Sequence, residues 1–256
     1  MNVMDNLASK YCQPSPGNAP LCDRRVELKF FLDPPTAAAV RDWATDRMAP
    51  DEFCDPAIPS GYHVTTLYLD TPEWDIYHRR SDVIDGKHRV RRYGVEPVLW
   101  LEKKRKSRNV VRKLRCAIAE DEIGELLATP PPRDDANSAS GVDARPGDWF
   151  RDCVRQMSLA PAVVVRYQRY ARVGVSPRGP VRLTIDSDIR GGAFGDLSVP
   201  AAWDAGNELL PAGQILELKF TEHLPPVFKE LLYEFRIGVT AFSKYRSSVT
   251  HAGLVE

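Results

Sequence analysis

Eight runs of this chain alternate apolar and polar residues with a period of two, the spacing of a half-buried strand. They cover residues 25–31, 63–69, 87–93, 98–104, 110–117, 162–171, 181–186 and 215–220. Between them lie stretches that predict helices, over 35–48, 72–80, 120–128, 149–158 and 226–235. The first carries proline in its opening turn, and the third places acids where the positive end of a helix dipole favours them. Strands dominate, helices are scattered, and no strand–helix–strand rhythm recurs. The pattern predicts an α+β protein with a largely antiparallel sheet.

The alternation fails in two places. Residues 1–22 are polar and hold Pro14, Pro16, Gly17 and Pro20, which predicts a loose arm. Residues 129–147 hold three consecutive prolines and a run of small polar residues, which predicts an exposed loop. The remainder, 23–256, reads as one domain. No apolar stretch reaches the length of a membrane helix, and no basic segment leads into an apolar one near the start. Cys12, Cys22, Cys54, Cys116 and Cys153 are odd in number and show no C-x-x-C pair, so they read as reduced thiols of a cytoplasmic protein.

Charge changes the picture more than composition does. Lys plus Arg is 35 and Asp plus Glu is 35, so the chain is formally neutral and a globally basic nucleic-acid binder is disfavoured. Yet residues 79–115 hold 14 Lys or Arg against four acids. The polar faces of the strands are cationic one after another. Arg25, Glu27 and Lys29 share a face, as do Arg89, Arg91 and Tyr93. So do Trp100, Glu102 and Lys104, then Lys113 and Arg115, then Tyr167 and Arg169. Arg182, Thr184 and Asp186 follow, and then Glu217 and Lys219. A solvated face explains any one strand, but adjacent cations across seven strands repel unless an anion lies among them. A closed antiparallel barrel of about eight strands with flanking helices would gather these side chains into one tunnel. Such a lumen suits a polyanion with a divalent cation.

The strand motifs resemble, in order, those of the VTC domain (vacuolar transporter chaperone, polyphosphate polymerase) of the triphosphate tunnel metalloenzyme superfamily. Arg25 to Phe30 is similar to its opening R-x-E-x-K strand, and Leu67 to Thr71 with Tyr77 and Arg80 to its "YFD…Y…R" segment. Arg89 to Gly94 matches R-x-R-x-Y-G, and Leu101 to Lys104 its E-x-K strand. Tyr167 to Ala171, Arg182 to Asp186, Ile215 to Lys219 and Phe242 to Tyr245 match Y-x-R-x-A, R-x-T-x-D, L-E-x-K and F-S-K-Y.

The resemblance implies a tunnel that binds ATP and inorganic polyphosphate or triphosphate with Mn²⁺ or Mg²⁺ as cofactor. Its polymerase members move the terminal phosphoryl of ATP onto a growing polyphosphate chain and release ADP. Carried over by motif, the phosphate-binding residues are Lys29, Arg89, Arg91, Lys104, Arg169, Arg182, Lys219 and Lys244, with Lys113 and Arg115 on a looser match. Lys29, Arg89, Arg91, Arg169, Arg182 and Glu217 form the expected catalytic set. Glu217 leads the metal ligands, with Glu27 and Glu102 as metal or structural carboxylates.

Alternatives remain at this point. An inorganic triphosphatase on the same scaffold usually opens with E-x-E-x-K, and Arg25 in place of the first Glu favours the polymerase. A non-catalytic polyphosphate or nucleotide sensor is a third reading. Eukaryotic relatives also carry an SPX domain and membrane helices. These residues show neither, so a separate membrane partner is expected for any delivery across a membrane. Asp186 and Asp188 read either as a metal pair or as a strand-ending turn. Tyr93 and Tyr167 read as flanking the ligand or as wall packing. Lys104 is expected inside and the rest of the basic run to Arg108 at a hairpin tip.

Overall fold

The computed structural model describes residues 25–54, 61–80, 86–107, 110–128 and 146–255, and for 25, 105–107 and 110–112 the backbone alone. The arm expected over 1–22 and most of the loop expected over 129–147 lie outside these residues. The strands are β1 (Arg25–Leu32), β2 (Ala49–Pro50), β3 (Tyr62–Asp70), β4 (Lys87–Tyr93) and β5 (Val98–Ser107). They continue as β6 (Val110–Ala119), β7 (Ala160–Ser176), β8 (Gly179–Ala193), β9 (Asn207–Glu208) and β10 (Gln214–Thr221). All eight alternating runs are strands. The other two, β2 and β9, are two residues long, too short to carry a period, and pair onto β7 and β8. The Pro/Gly segment at 176–180 is a tight hairpin, and β7 and β8 run on beyond their alternating cores.

The helices are α1 (Pro34–Arg47), α2 (Asp75–His78), α3 (Glu122–Ala128), α4 (Asp148–Gln156), α5 (Pro226–Phe235) and α6 (Lys244–His251). The segment 72–80 forms only the short α2, because Asp70 takes the amides of Thr71, Ile76 and Tyr77 and bends the chain into a compact turn. Helix α6 carries no clear apolar stripe. Its start is set by Ser243, whose hydroxyl accepts from the Arg246 amide.

Every ladder is antiparallel, and the main path is β1-β10-β8-β7-β3-β4-β5-β6. The expected closed barrel is therefore corrected to a curved open sheet, since no ladder joins β1 to β6 among the described residues. The reason lies on the free edge of β1. Phe30 pairs with Val239, and the Thr240 amide donates to Lys29 O at 2.7 Å, so the segment before α6 occupies that edge.

The two faces of the sheet are chemically different. On the outer face of β1, β10 and β8, Phe30, Leu32, Leu216, Leu218 and Leu183 pack against Val40 and Trp43 of α1 and Phe228 and Leu231 of α5. On the outer face of β3 to β6, Leu67, Val90, Leu99, Leu101 and Cys116 pack against Ile123, Leu126 and Phe150 of α3 and α4. Burial of these side chains holds the curvature, at roughly 25 cal/mol per Å² of apolar surface. Helix α6 sits inside the curve on β8. A Cβ at Gly191 would lie 2.4 Å from Ser248 Oγ, so only glycine admits this approach. Arg92 alternates outward, where it donates to Val199 O, Glu96 O and the Glu120 carboxylate.

Candidate active site

The period-two alternation places one set of charged side chains on the concave face. Cross-strand register aligns them: Glu27 opposite Lys219, Lys29 opposite Glu217, and Lys219 opposite Arg182. Asp186 lies opposite Arg169, Arg89 opposite Glu102, Glu102 opposite Arg115, and Lys87 opposite Lys104 and then Lys113. Lys244, at the start of α6, reaches in from the helix. The face thus holds Lys29, Lys87, Arg89, Arg91, Lys104, Lys113, Arg115, Arg169, Arg182, Lys219 and Lys244. Against these stand Glu27, Asp51, Glu102, Asp186 and Glu217, and cations outnumber carboxylates.

The charges form three clusters, two of them linked. In the first, Glu27 and Glu217 share two lysines. Lys29 Nζ is 3.7 Å from Glu27 and 3.4 Å from Glu217, and Lys219 Nζ is 3.9 Å and 3.1 Å from the same two. Lys104 Nζ reaches Glu27 at 3.1 Å, a link from β5 to β1 across the open side of the sheet. In the second, Arg169 donates to both oxygens of Asp186 at 2.7 and 2.8 Å, and Lys244 adds 2.6 Å. Lys244 also lies 3.8 Å from Glu217 and joins the two clusters. In the third, Glu102 is met by Arg89 and Lys113, each at 2.6 Å, by Arg115 at 3.4 Å and by Arg91 at 3.5 Å.

Burial alone would raise every one of these carboxyls. For Glu217 the nearby Lys219, Lys244 and Lys29 outweigh it, and for Glu102 the Arg89, Arg91, Lys113 and Arg115 group does, so both sit well below the usual carboxylate range. Glu27 and Asp186 are lowered for the same reason. The opposite happens to some neighbours. Burial beside other cations brings Lys87 and Lys113 down to about 8. Burial would raise the phenols of Tyr68 and Tyr93, but the guanidinium groups beside them bring both down to about 8.

Every residue that the motif resemblance assigns to phosphate, catalysis or metal is on this face. Arg182 lies at its edge, bound to the Asp51 carboxylate and 3.1 Å from the Tyr62 hydroxyl. The metal pair at Asp186 and Asp188 does not form. The ladder slips between Arg166 and Gln168, Asp188 takes a positive φ of 46°, and its side chain turns out to Arg190. Strand β8 continues through this point, so it is no strand-ending turn either. Tyr93 and Tyr167 are buried in the wall. Phe53 stacks on Tyr93 at 4.3 Å, and Lys244 lies 4.7 Å over Tyr167. Trp100 faces in, under Arg115 at 3.5 Å. Three further participants were not singled out. Lys87 shares the parity of Arg89 and Arg91, which was signal enough. Tyr68 sat within a motif without a role. Asp51 comes from a turn and gave no signal.

The donor set can be weighed for a metal. No three His, Cys, Asp or Glu residues gather among the described residues. Glu27 and Glu217, bridged by the same lysines, are two carboxylates side by side. Two carboxylates fit a divalent cation that completes its shell from substrate phosphate and water, and do not make a cage of protein ligands.

A family model described as the VTC domain matches residues 24–252. No curated protein matches the chain. Among solved structures, HpAC1 of Hippeastrum, a candidate adenylyl cyclase with a dominant triphosphatase activity, is 15% identical with a TM-score of 0.48 over 89% of this chain and 96% of that one. A candidate adenylate cyclase from Vibrio parahaemolyticus is 9% identical with a TM-score of 0.46 over 87% and 96%. The PH1819 protein of Pyrococcus horikoshii OT3 is 13% identical with a TM-score of 0.40 over 89% and 96%.

Proposed function

The chain belongs to the VTC domain family, and on that premise we propose that it moves the terminal phosphoryl of ATP onto a polyphosphate chain, with Mn²⁺ or Mg²⁺, and releases ADP. The observation that carries this reading is the concave face itself, where cations from seven strands and a helix outnumber the carboxylates between them. A polyanion supplies the missing charge. Phosphoryl transfer asks little covalent chemistry of a protein, and positioning with charge neutralisation supplies most of the rate.

Glu27 and Glu217 would hold the cation, which when bound neutralises charge on the phosphate oxygens. Arg169 is locked in plane by Asp186 and offers its remaining donors to those oxygens. Lys29, Lys219 and Lys244 reach the same space as point charges. Arg89, Arg91, Lys113 and Arg115 lie along the opposite wall and would hold the acceptor chain in line. The four carboxylates held low are weak bases, which suits transfer to a phosphate oxygen better than activation of water. A second reading, inorganic triphosphatase, draws on Tyr68 and Tyr93, whose phenols at about 8 could take a proton from water near neutral pH.

The test is incubation of purified protein with ATP and Mn²⁺, quenched with chelator, measuring ADP, free phosphate and acid-labile polymer together. ADP with polymer and little free phosphate is the expected result. Equimolar ADP and free phosphate would replace it with the hydrolase. Binding without turnover would leave a polyphosphate or nucleotide sensor.

The reading also has a pH signature. Lys87 and Lys113 lose their charge as pH rises through about 8, and Tyr68 and Tyr93 gain negative charge in the same interval. All four changes disfavour a polyanion. Tripolyphosphate affinity should fall on the order of tenfold between pH 7 and 9. Lys113→Arg, which stays charged, should fall less at each pH, a comparison that cancels the ligand's own titration. Parallel profiles for the two proteins would remove Lys113 from the binding wall.

A further inference from the structure

Glu102 is placed unlike any other described carboxylate of the face. It lies on β5 between Arg89 of β4 and Arg115 of β6, its partners in register. Arg91 and Lys113, one step further along those strands, complete a ring of four cations within 3.5 Å. Its side chain is 0% exposed. Glu217 and Glu27, by contrast, are two anions set among four lysines, Lys29, Lys104, Lys219 and Lys244, the last of which is shared with Asp186 and its arginine.

This difference decides what each end of the face can take. One carboxylate cannot neutralise four cations, so the Glu102 cluster keeps a surplus of positive charge in a low-dielectric setting. A divalent cation placed there would meet that surplus and be repelled. An anion would be drawn to it. The donors are also poised for one. Arg115 Nη2 has no hydrogen-bond acceptor among the described residues, and its guanidinium carbon lies 3.5 Å over the Trp100 ring. Arg91 is steadied by the Thr66 hydroxyl at 3.1 Å.

We propose that Glu102 is a positioning anion and not a metal ligand: it orients Arg89, Arg91, Lys113 and Arg115 to grip a stretch of phosphate chain that carries no metal, and that chain takes over part of its counter-charge on binding. The inference rests on the phosphoryl-transfer reading and deepens it. The Glu27–Glu217 end takes the phosphates that bring the cation, and the Glu102 end takes bare polyphosphate.

The experiment compares wild-type protein with Glu102→Gln, using tripolyphosphate as the probe in chelator. Wild-type protein should melt higher with tripolyphosphate; the absence of any shift, with or without Mn²⁺, would instead overturn the parent reading. Glu102→Gln should melt lower than wild type in phosphate-free buffer, because four cations are left without their anion. Tripolyphosphate should then raise its melting temperature by on the order of 4 °C more than it raises the wild type's. Mn²⁺ affinity of the protein–tripolyphosphate complex should stay within about twofold of wild type, as for a change at a separate site. A tripolyphosphate shift no larger than wild type's, or a tenfold loss of Mn²⁺ affinity, would overturn the proposal. If the variant does not fold alone, refolding is repeated with tripolyphosphate. Recovery of a cooperative melt only with the polyanion supports the assignment, and failure in both conditions refutes it.

Discussion

Glu217→Gln should lower metal-dependent turnover at least about 100-fold, the loss typical when a group that stabilises transition-state charge is removed. The substitution keeps shape and takes away charge. It halves the carboxylate pair that the two shared lysines hold together. The fold should survive, because each cation touching Glu217 has another anion. Lys244 keeps Asp186 at 2.6 Å, and Lys29 and Lys219 keep Glu27. Circular dichroism should therefore match wild type while Mn²⁺ affinity drops in the presence of tripolyphosphate. Undiminished turnover would take Glu217 out of the metal site. A parallel loss of helical signal would mean that the residue is structural.

Asp186→Asn should cost about 3–5 kcal/mol of stability, the range for breaking a buried ion pair from one side. Asp186 is 0% exposed, Arg169 5% and Lys244 8%, so both cations would be left in a dry setting. The bidentate arginine ties β7 to β8, and Lys244 anchors the start of α6, so the loss is felt by the sheet and by the helix seated on it. The same geometry fixes an acid signature. Burial raises the Asp186 carboxyl, but Arg169 and Lys244 overcome it and hold the folded value below the unfolded one. Its stabilisation is therefore complete above the unfolded value, near 3.9, and fades as pH falls toward the folded one. Urea melts from pH 6 to pH 3 should show the wild type losing stability across that acid limb, with the variant's curve flatter. A change under about 1 kcal/mol at pH 7, within the range of exposed ion pairs, would put Asp186 outside the buried network.

Much of this architecture was legible in the sequence because strand alternation is a local signal. Once Lys29, Arg89, Arg91 and Lys219 fall on polar parities, their faces are fixed, and the curved sheet brings those faces together. What stayed hidden depends on contacts between distant residues. Helix α6 has no apolar stripe of its own and is recruited by Gly191 on β8 and by Asp70, which accepts from the Tyr245 hydroxyl. Asp51 reaches Arg182 from a turn with no periodicity. The open side of the sheet follows from a strand edge already taken by Val239 and Thr240. Asp186 and Asp188 share a sequence parity, and the slip in the ladder that parts them leaves no mark on it. Cys54 and Cys153 are free thiols, whereas Cys12 and Cys22 lie outside the described residues. No helix among the described residues is long and apolar enough to cross a membrane.

The ladder that pairs β1 with β10 has a temporal consequence. Glu27 and Glu217 belong to the first and last strands of the sheet, so their meeting requires closure of nearly the whole chain. Contacts of such long sequence separation form late and slowly. On the ribosome, β3 to β6 could assemble the Glu102 wall and begin to attract cellular polyanions well before β10 emerges. A nascent chain would then hold a polyanion before the Glu27–Glu217 pair exists, and that pair would form only when the last strand docks against the first.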